Sequence, residues 1–377
     1  MNITTIKKEW NEFIYDLPHQ KLPYSKKNWG NQNHSLCSYQ GKLKPSIAFH
    51  LVKIFAPQGG CIFDPFSGVG TIPFEASLNG IKSFGLDISP LAYYVSSAKV
   101  HINDEAICYQ YIKLIDDYIK GTQLSDDYIE TNGNFGFNKT LKDYYHEDTF
   151  IEILKVRDFI SKNKPKNAEE MLVLSCILHI LHGNRPYALS RRSHPIVPYA
   201  PTGEFEYKNL IAKATDKLKK SLSIEYPQNF VEGKIIMGDA TESWNEDIQN
   251  IDAIITSPPF YDSTRFYLAN WIRLWFLGWS KDSFESEPLK YVDEKQKIDF
   301  SIYDSIFKQG KDRLKKDGFF VMHLGKSPKC NMGEILKKRS LSFFKHAELY
   351  DESVVHCEKF GIKDLGTTSS HQYLIMY

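Results

Sequence analysis

The sequence predicts the α/β class: a mostly parallel sheet covered by helices on both faces and interrupted by a helical insertion. Three observations carry that expectation. Short apolar runs end at acidic residues and lead into helical stretches, first over 61–100 and again from 234 onward. Strands separated by helices favour parallel pairing, because a parallel crossover needs a covering element. Between the two regions, 101–227 is polar and helical in texture, with few glycine-bounded strands.

"CIF" (Cys61 to Phe63) reads as a buried strand ending at Asp64, and "GVGT" then leads into a helix from about Ile72 to Leu78. Asn79-Gly80 supplies the helix stop, since glycine takes the left-handed cap without a Cβ penalty. "KSFGLD" is a second strand ending in Asp87, and "SPLAYYVSSAKV" opens a helix with Ser-Pro, proline being pre-organised for the first helical turn. "GNRPYALSRRSHPIVPYAPTGEF" (Gly183 to Phe205) reads as a long ordered loop within the insertion. "KIIMGDA", "IDAIITSPP", "GFFVMHLG" and the terminal "HQYLIMY" resume the strands, the last as an antiparallel edge strand. The organisation expected is therefore 1–100, a first half-domain with an N-terminal segment; 101–227, the insertion; and 228–377, the second half-domain.

Composition excludes several classes. With 377 residues there is enough chain for a substantial core. The apolar run "MLVLSCILHILHG" carries two histidines and is too short to span a bilayer, and the N-terminal stretch has no secretory signal pattern, so a cytoplasmic protein is expected. Six cysteines lie without paired spacing, which suggests neither a zinc knuckle nor a disulfide framework. The formal charge is only +1, so any polyanion site must be a local cluster.

The loop "DPFSGVGT" (Asp64 to Thr71) is the first chemical signal. A strand ending in Asp, then Gly68-Val69-Gly70, then a helix lets backbone approach a ligand closely and offers free N–H groups. The dinucleotide fingerprint wants a third glycine where Pro73 stands, and Asp64 would repel a pyrophosphate, so a nicotinamide oxidoreductase is disfavoured. Asp64 suits an amine-bearing or cationic ligand instead. Asp87 stands where a carboxylate accepts ribose hydroxyls, and Asp239 in "GDA" is placed to accept from an adenine amine. Together the three acids describe a pocket for S-adenosylmethionine. Its candidate residues are Asp64, Pro65, Phe66, Ser67, Gly68, Gly70, Thr71, Asp87, Ile88, Asp239 and Ala240. Strand-end aspartates also cap helices, which is the plainer reading of each one alone.

The second signal is Ser257-Pro258-Pro259-Phe260 after the apolar strand "IDAII". Two prolines fix φ and remove two N–H donors, so the carbonyls there point in set directions. A hydroxyl and a carbonyl held rigidly can grip the two hydrogens of an exocyclic amine, and a neighbouring ring can stack on a base. Positioning of that kind serves amino methylation, in which the nitrogen lone pair must be localised for attack.

The two motifs together resemble the amino-methyltransferases of DNA, which make N4-methylcytosine or N6-methyladenine. "DPFSGVGT" resembles their cofactor motif and "TSPPF" their catalytic motif. "CSYQGKLKPSIAFHLV" (Cys37 to Val52) resembles the N-terminal motif that closes over the methionine end of the cofactor, and "HQYLIMY" the last strand. The likeness runs roughly over Leu36 to Val100 and Lys234 to Tyr377. It implies a Rossmann-like S-adenosylmethionine-dependent methyltransferase fold, with S-adenosylmethionine as cofactor and Ser257, Pro258, Pro259 and Phe260 as catalytic residues. Double-stranded DNA is the implied substrate, flipped at the target base. A restriction-modification role with a cognate restriction endonuclease on the same site is implied as well. Serine before the prolines leans, in the family, toward N4 of cytosine; chemistry alone leaves adenine open, because both bases present an amino donor beside a ring-nitrogen acceptor. The insertion precedes the "GDA" strand, so the family's usual recognition region is not carried over by position, and 101–227 is the candidate DNA-recognition region.

Candidate substrate contacts are Tyr261 and Arg265 after the catalytic turn, and Arg185, Arg191 and Arg192 in the long loop, with Arg273, Asp262, Tyr187 and His194 nearby in sequence. Trp271, Leu274, Trp275 and Leu277 fall at helical spacing and read as core. His179 and His182, one turn apart in an apolar helix, read as satisfied core histidines, and no metal is called for. No Pro-Cys pair is present to mark cytosine C5 methylation, and Cys330 is assigned no chemistry. Two rival functions stand beside this reading: a base-amine methyltransferase acting on RNA such as tRNA, and a non-catalytic DNA-binding protein that keeps the fold.

Overall fold

The computed structural model describes residues 3–16, 30–39, 41–183, 186–192, 201–261, 265–353 and 367–377. Its strands are β1 (Cys61–Asp64), β2 (Lys82–Asp87), β3 (Lys234–Met237), β4 (Ile251–Thr256), β5 (Leu314–Lys326), β6 (Ala347–Ser353) and β7 (Ser370–Met376). They form one sheet in the order β3-β2-β1-β4-β5-β7-β6. The pairs from β3 to β5 are parallel, whereas β7 runs antiparallel to both β5 and β6. The strand order is that of the Rossmann-like S-adenosylmethionine-dependent methyltransferase fold.

Before and between the first strands lie α1 (Ile3–Asp16), α2 (Pro45–Phe55), α3 (Thr71–Leu78) and α4 (Pro90–Lys99). The segment between β2 and β3 continues with α5 (Glu105–Gly121), α6 (Asp126–Gly133), α7 (Leu141–Tyr144), α8 (Glu147–Lys162), α9 (Ala168–Ile180) and α10 (Leu210–Leu222). After β4 come the short α11 (Phe266–Ala269), α12 (Trp271–Phe276), α13 (Lys281–Ser286) and α14 (Val292–Lys295), followed by α15 (Ile302–Arg313) and α16 (Met332–Ser340). Among the described residues no helix is long and apolar enough to cross a membrane.

Alternation along the strands builds two core layers. Ile62, Ala253, Ile255, Phe319 and Val321 face α1, α2 and α3. Phe63, Ile254, Phe320, Met322 and Leu324 face α15 and α16. A third core joins α4 to α5, α8, α9 and α10 and includes Trp271, Leu274 and Trp275 of α12, so the aromatics after the Ser-Pro-Pro turn pack inside as their spacing implies. Leu277 packs against this core from a half-buried position.

One strand expectation needs correction. "HQYLIMY" is antiparallel but not at the edge, because β6 lies outside it. Tyr373, Leu374, Ile375 and Met376 are all buried, as a strand covered on both faces requires. The edge falls to "AELYDES", whose charged residues suit an exposed strand and hide its strand character in the sequence.

Candidate active site

The site lies at the carboxyl ends of β1, β2 and β4, where parallel sheets bind ligands. β1 and β4 are parallel neighbours, with Ile62 beside Ala253 and Phe63 beside Ile254, so Asp64 and Thr256 emerge side by side. Thr256 Oγ1 donates to Asp64 Oδ1 at 2.6 Å. The glycine loop and the Ser-Pro-Pro turn are thereby pinned to each other at one end of the sheet.

The loop is shaped by its glycines. Gly68 and Gly70 have φ of +49° and +70°, a region costly to residues with a Cβ. At Gly70 a Cβ would also stand 2.7 Å from that of Ser96 on α4. Ser67 N–H and Oγ both donate to the Leu86 carbonyl, at 3.0 and 3.3 Å, holding the loop against β2. Pro65 and Thr71 are buried, and Phe66, Gly68 and Ile88 are half-buried.

Asp64 accepts from the Phe66 amide at 3.0 Å, and Asp87 from the amides of Gly68 and Ser89, each at 2.9 Å. Burial outweighs these bonds. It is the leading cause that pushes the Asp64 carboxyl up to about 7 and the Asp87 carboxyl up to about 6. Asp293, buried on α14, is raised by burial as well, and its charge helps to raise Asp87. Three acids penalised for carrying charge fit a ligand that supplies positive charge, as a sulfonium with an amino group does. Tyr39, from the segment after Cys37, lies against Gly68: its hydroxyl would stand 3.7 Å from a Cβ there. Its phenol is held well above the ordinary range by burial, then by Asp87.

Asp239 is placed after β3 but is already engaged. Its Oδ1 accepts from the Thr241 amide and hydroxyl, both at 2.8 Å, and its Oδ2 pairs with Lys295 at 2.7 Å. Ala240 is buried, its carbonyl accepting from the Trp244 indole at 2.9 Å.

Ser257 is half-buried, with Oγ 3.1 Å from His323 Nδ1. The Pro259 carbonyl accepts from Gln296 Nε2 at 3.0 Å, and Gln296 Oε1 in turn accepts from Tyr303 at 2.9 Å. Phe260 rests on the β5 backbone, where a Cβ on Gly325 would stand 2.4 Å from its ring, and its ring centroid is 5.4 Å from that of His323. The turn is thus backed from behind on two sides.

Sequence reasoning missed the segment Tyr291 to Gln296. It brings the charge of Asp293 to bear on Asp87, Lys295 to Asp239, and Gln296 to Pro259, tying the strand-end acids to the Ser-Pro-Pro turn. No local motif marks it, because its partners lie far away in the chain. His323 was equally hidden inside the apolar strand "GFFVMHLG"; a polar residue at a core position was the available signal.

The arginines divide. Arg265 is exposed and pairs loosely with Glu294 at 3.6 Å. Arg191 serves its own loop, donating to the carbonyls of Asp143 and Gly203 and lying 4.0 Å over the Phe205 ring. Arg192 bridges to Thr202. Arg273, named for a DNA clamp, is instead buried; its Nε donates to the Leu178 carbonyl at 2.9 Å, closing the end of α9. Tyr261 donates its amide to Met332 Sδ at 3.2 Å and stacks near Phe300. Arg185, His194 and Asp262 lie outside the described residues. His182 meets Ser190 Oγ at 3.0 Å, and His179 stacks on Tyr187 and approaches Ser38 at 3.4 Å.

Over part of its length the chain is similar to methyltransferases. The family described as RMKL-like, methyltransferase domain, matches residues 33–137. The Type II methyltransferase M.MjaII of Methanocaldococcus jannaschii is 32% identical over 103 residues, which are 26% of this chain and 19% of the relative. Among solved structures, a TehB-like SAM-dependent methyltransferase from Corynebacterium glutamicum is 10% identical, covering 87% of this chain and 85% of that one, with a TM-score of 0.33. A type I restriction-modification methyltransferase subunit from Streptococcus thermophilus is 10% identical over 90% of this chain and 45% of that one, at 0.35. TrmN from Thermus thermophilus is 11% identical over 89% and 49%, at 0.33.

Proposed function

We propose that this chain transfers a methyl group from S-adenosylmethionine to an exocyclic amine of a nucleobase in duplex DNA, N4 of cytosine ahead of N6 of adenine. One observation carries the reading: the Thr256–Asp64 hydrogen bond sets the cofactor loop and the Ser-Pro-Pro turn on adjacent strand ends. The pocket residues fit the cofactor, with acids at Asp64, Asp87 and Asp293 and positive-φ glycines at 68 and 70. When bound, the cofactor supplies the methyl electrophile.

The chain's own residues do the rest by positioning. Ser257 Oγ and the Pro258 carbonyl accept from the two amine hydrogens and localise the nitrogen lone pair toward the methyl group. The Pro259 carbonyl is already committed to Gln296, which fixes the pitch of the turn. The exposed part of the Phe260 ring meets the plane of the base. No covalent link between enzyme and base forms. The target must leave the helix to reach this corner, at a cost of a few kcal/mol. Arg265 and Arg192, both at or near the surface, are the arginines available for phosphate. The helical segment 101–227 is the proposed DNA-recognition region, and the proposed setting is restriction-modification, with a cognate endonuclease as the partner to look for. The match to the Type II methyltransferase M.MjaII supports methyl transfer.

The test is transfer of labelled methyl from S-adenosylmethionine to duplex DNA, tRNA and ribosomal RNA, followed by nucleoside chromatography. N4-methylcytosine from DNA is expected. Label confined to RNA establishes the RNA reading instead, and cofactor and DNA binding without transfer establishes the non-catalytic one.

A further inference from the structure

The sheet interior behind the catalytic turn holds a line of polar residues where apolar ones would pack. His323 on β5 and His371 on β7 are buried at 3% and 6% exposure, with Nε2 of the first 3.0 Å from Nδ1 of the second. Their rings stack at 5.0 Å. Glu352 on β6, also buried, is the direct cross-strand neighbour of His371 and accepts from Tyr373 at 2.9 Å. One step per strand, the line runs from Ser257 across β5 and β7 to β6. All of it lies on the face packed by α1 and α2, beneath Trp10, whose ring is 5.1 Å from that of Tyr373. Burying two imidazoles and a carboxylate there is costly unless each is partnered. The end of the line that reaches the cleft is the Ser257 hydroxyl.

We propose that Ser257, His323 and His371, with Glu352 beside them, form a relay that takes the proton released when the substrate amine is methylated. This rests on the function proposed above. The amine nitrogen forms the N–CH3 bond as the S–CH3 bond of the sulfonium breaks, and the sulfur keeps that electron pair as a neutral thioether. The nitrogen, now cationic, gives one proton to Ser257 Oγ, which passes its own to His323 Nδ1. His323 Nε2–H is then handed to His371 Nδ1, and the charge settles beside Glu352. His323 acts through Ser257 and is a positioning residue. Among the described residues, the titratable groups facing the line include Tyr373 on β7, Tyr350 and Glu348 on β6, and Lys7 on α1, the last paired to Glu348 at 2.6 Å.

The relay requires that His323 accept at Nδ1 and donate at Nε2. Imidazole nitrogen NMR of the full-length protein reads this without turnover. An unprotonated Nδ1 on His323 that shifts in Ser257→Ala is expected; a protonated Nδ1 overturns the relay, because the serine could then take no proton. In parallel, His323→Asn and His371→Asn are assayed for single-turnover transfer against pH, with cofactor affinity and thermal unfolding as controls for folding. A fall of about a hundredfold in rate, unchanged cofactor affinity and loss of the acidic limb of the pH profile are expected for His323→Asn, with a smaller fall for His371→Asn. Wild-type rates and profile in the folded variants overturn the relay alone. A wild-type protein that methylates no amine in DNA or RNA overturns the function and the relay with it.

Discussion

Cofactor affinity should rise steeply between about pH 5 and about pH 7.5. The perturbation is protonation of two acids, the buried Asp64 and the half-buried Asp87, since desolvation pushes Asp64 up to about 7 and Asp87 up to about 6. At the acid end both carry protons that a cationic ligand must displace. If the bound sulfonium and amine draw both carboxyls below 5, linkage gives about 80-fold for Asp64 and about tenfold for Asp87. The sign follows from the raised values: the ligand favours the ionised form, so affinity grows as pH rises and levels above about 7.5. The ligand-free fold behaves oppositely. It holds protons that the unfolded chain has released above its value of 3.8, so stability declines as pH climbs from there toward 7. Titration calorimetry in buffers of different ionisation enthalpy reads both affinity and proton release. S-adenosylhomocysteine, which lacks the sulfonium charge, should show a shallower slope. A flat affinity with no proton release would refute the reasoning.

Three substitutions test the rest. Ser257→Ala should lower single-turnover transfer by about tenfold or more while leaving the cofactor dissociation constant unchanged, because its hydroxyl is assigned to the amine; equal rates would remove that role. Thr256→Val deletes the 2.6 Å donor to Asp64 and should cost about 1–3 kcal/mol, read as a lower urea midpoint and weaker cofactor binding at neutral pH. Gly70→Ala places a Cβ 2.7 Å from that of Ser96 at a φ of +70° and should destabilise by about 1–3 kcal/mol. A wild-type unfolding midpoint for Gly70→Ala would show that the loop can relax around it.

The part of this molecule written locally was legible. Asp64, Gly68, Gly70 and Asp87 announce themselves because a strand end, a positive-φ turn and a helix start are contiguous in the chain. The apolar runs of β1, β2 and β4 end where their acids and prolines say they should. What stayed hidden depends on distant partners. β6 carries no apolar alternation to mark it, because at the sheet edge Asp351 and Ser353 face water while Glu352 is the residue buried. Arg273 looks like a DNA contact until its helix is seen closing α9. Gln296 and Asp293 have no motif of their own; only the folded chain carries them to Pro259 and Asp87. His323 sits in an apolar strand, and its meaning comes from Ser257, 66 residues away in the chain.

The central claim is that the glycine loop and the Ser-Pro-Pro turn form one reaction centre. It is tested most directly by a crystal structure with sinefungin, whose amine stands in place of the transferred methyl group. A hydrogen bond from Ser257 to the substrate nitrogen, followed by a near-attack distance to the methyl position, places that amine within about 6 Å of Ser257 Oγ. Finding sinefungin bound elsewhere, or with its amine turned away from Ser257 and the Pro258 carbonyl, would contradict the account.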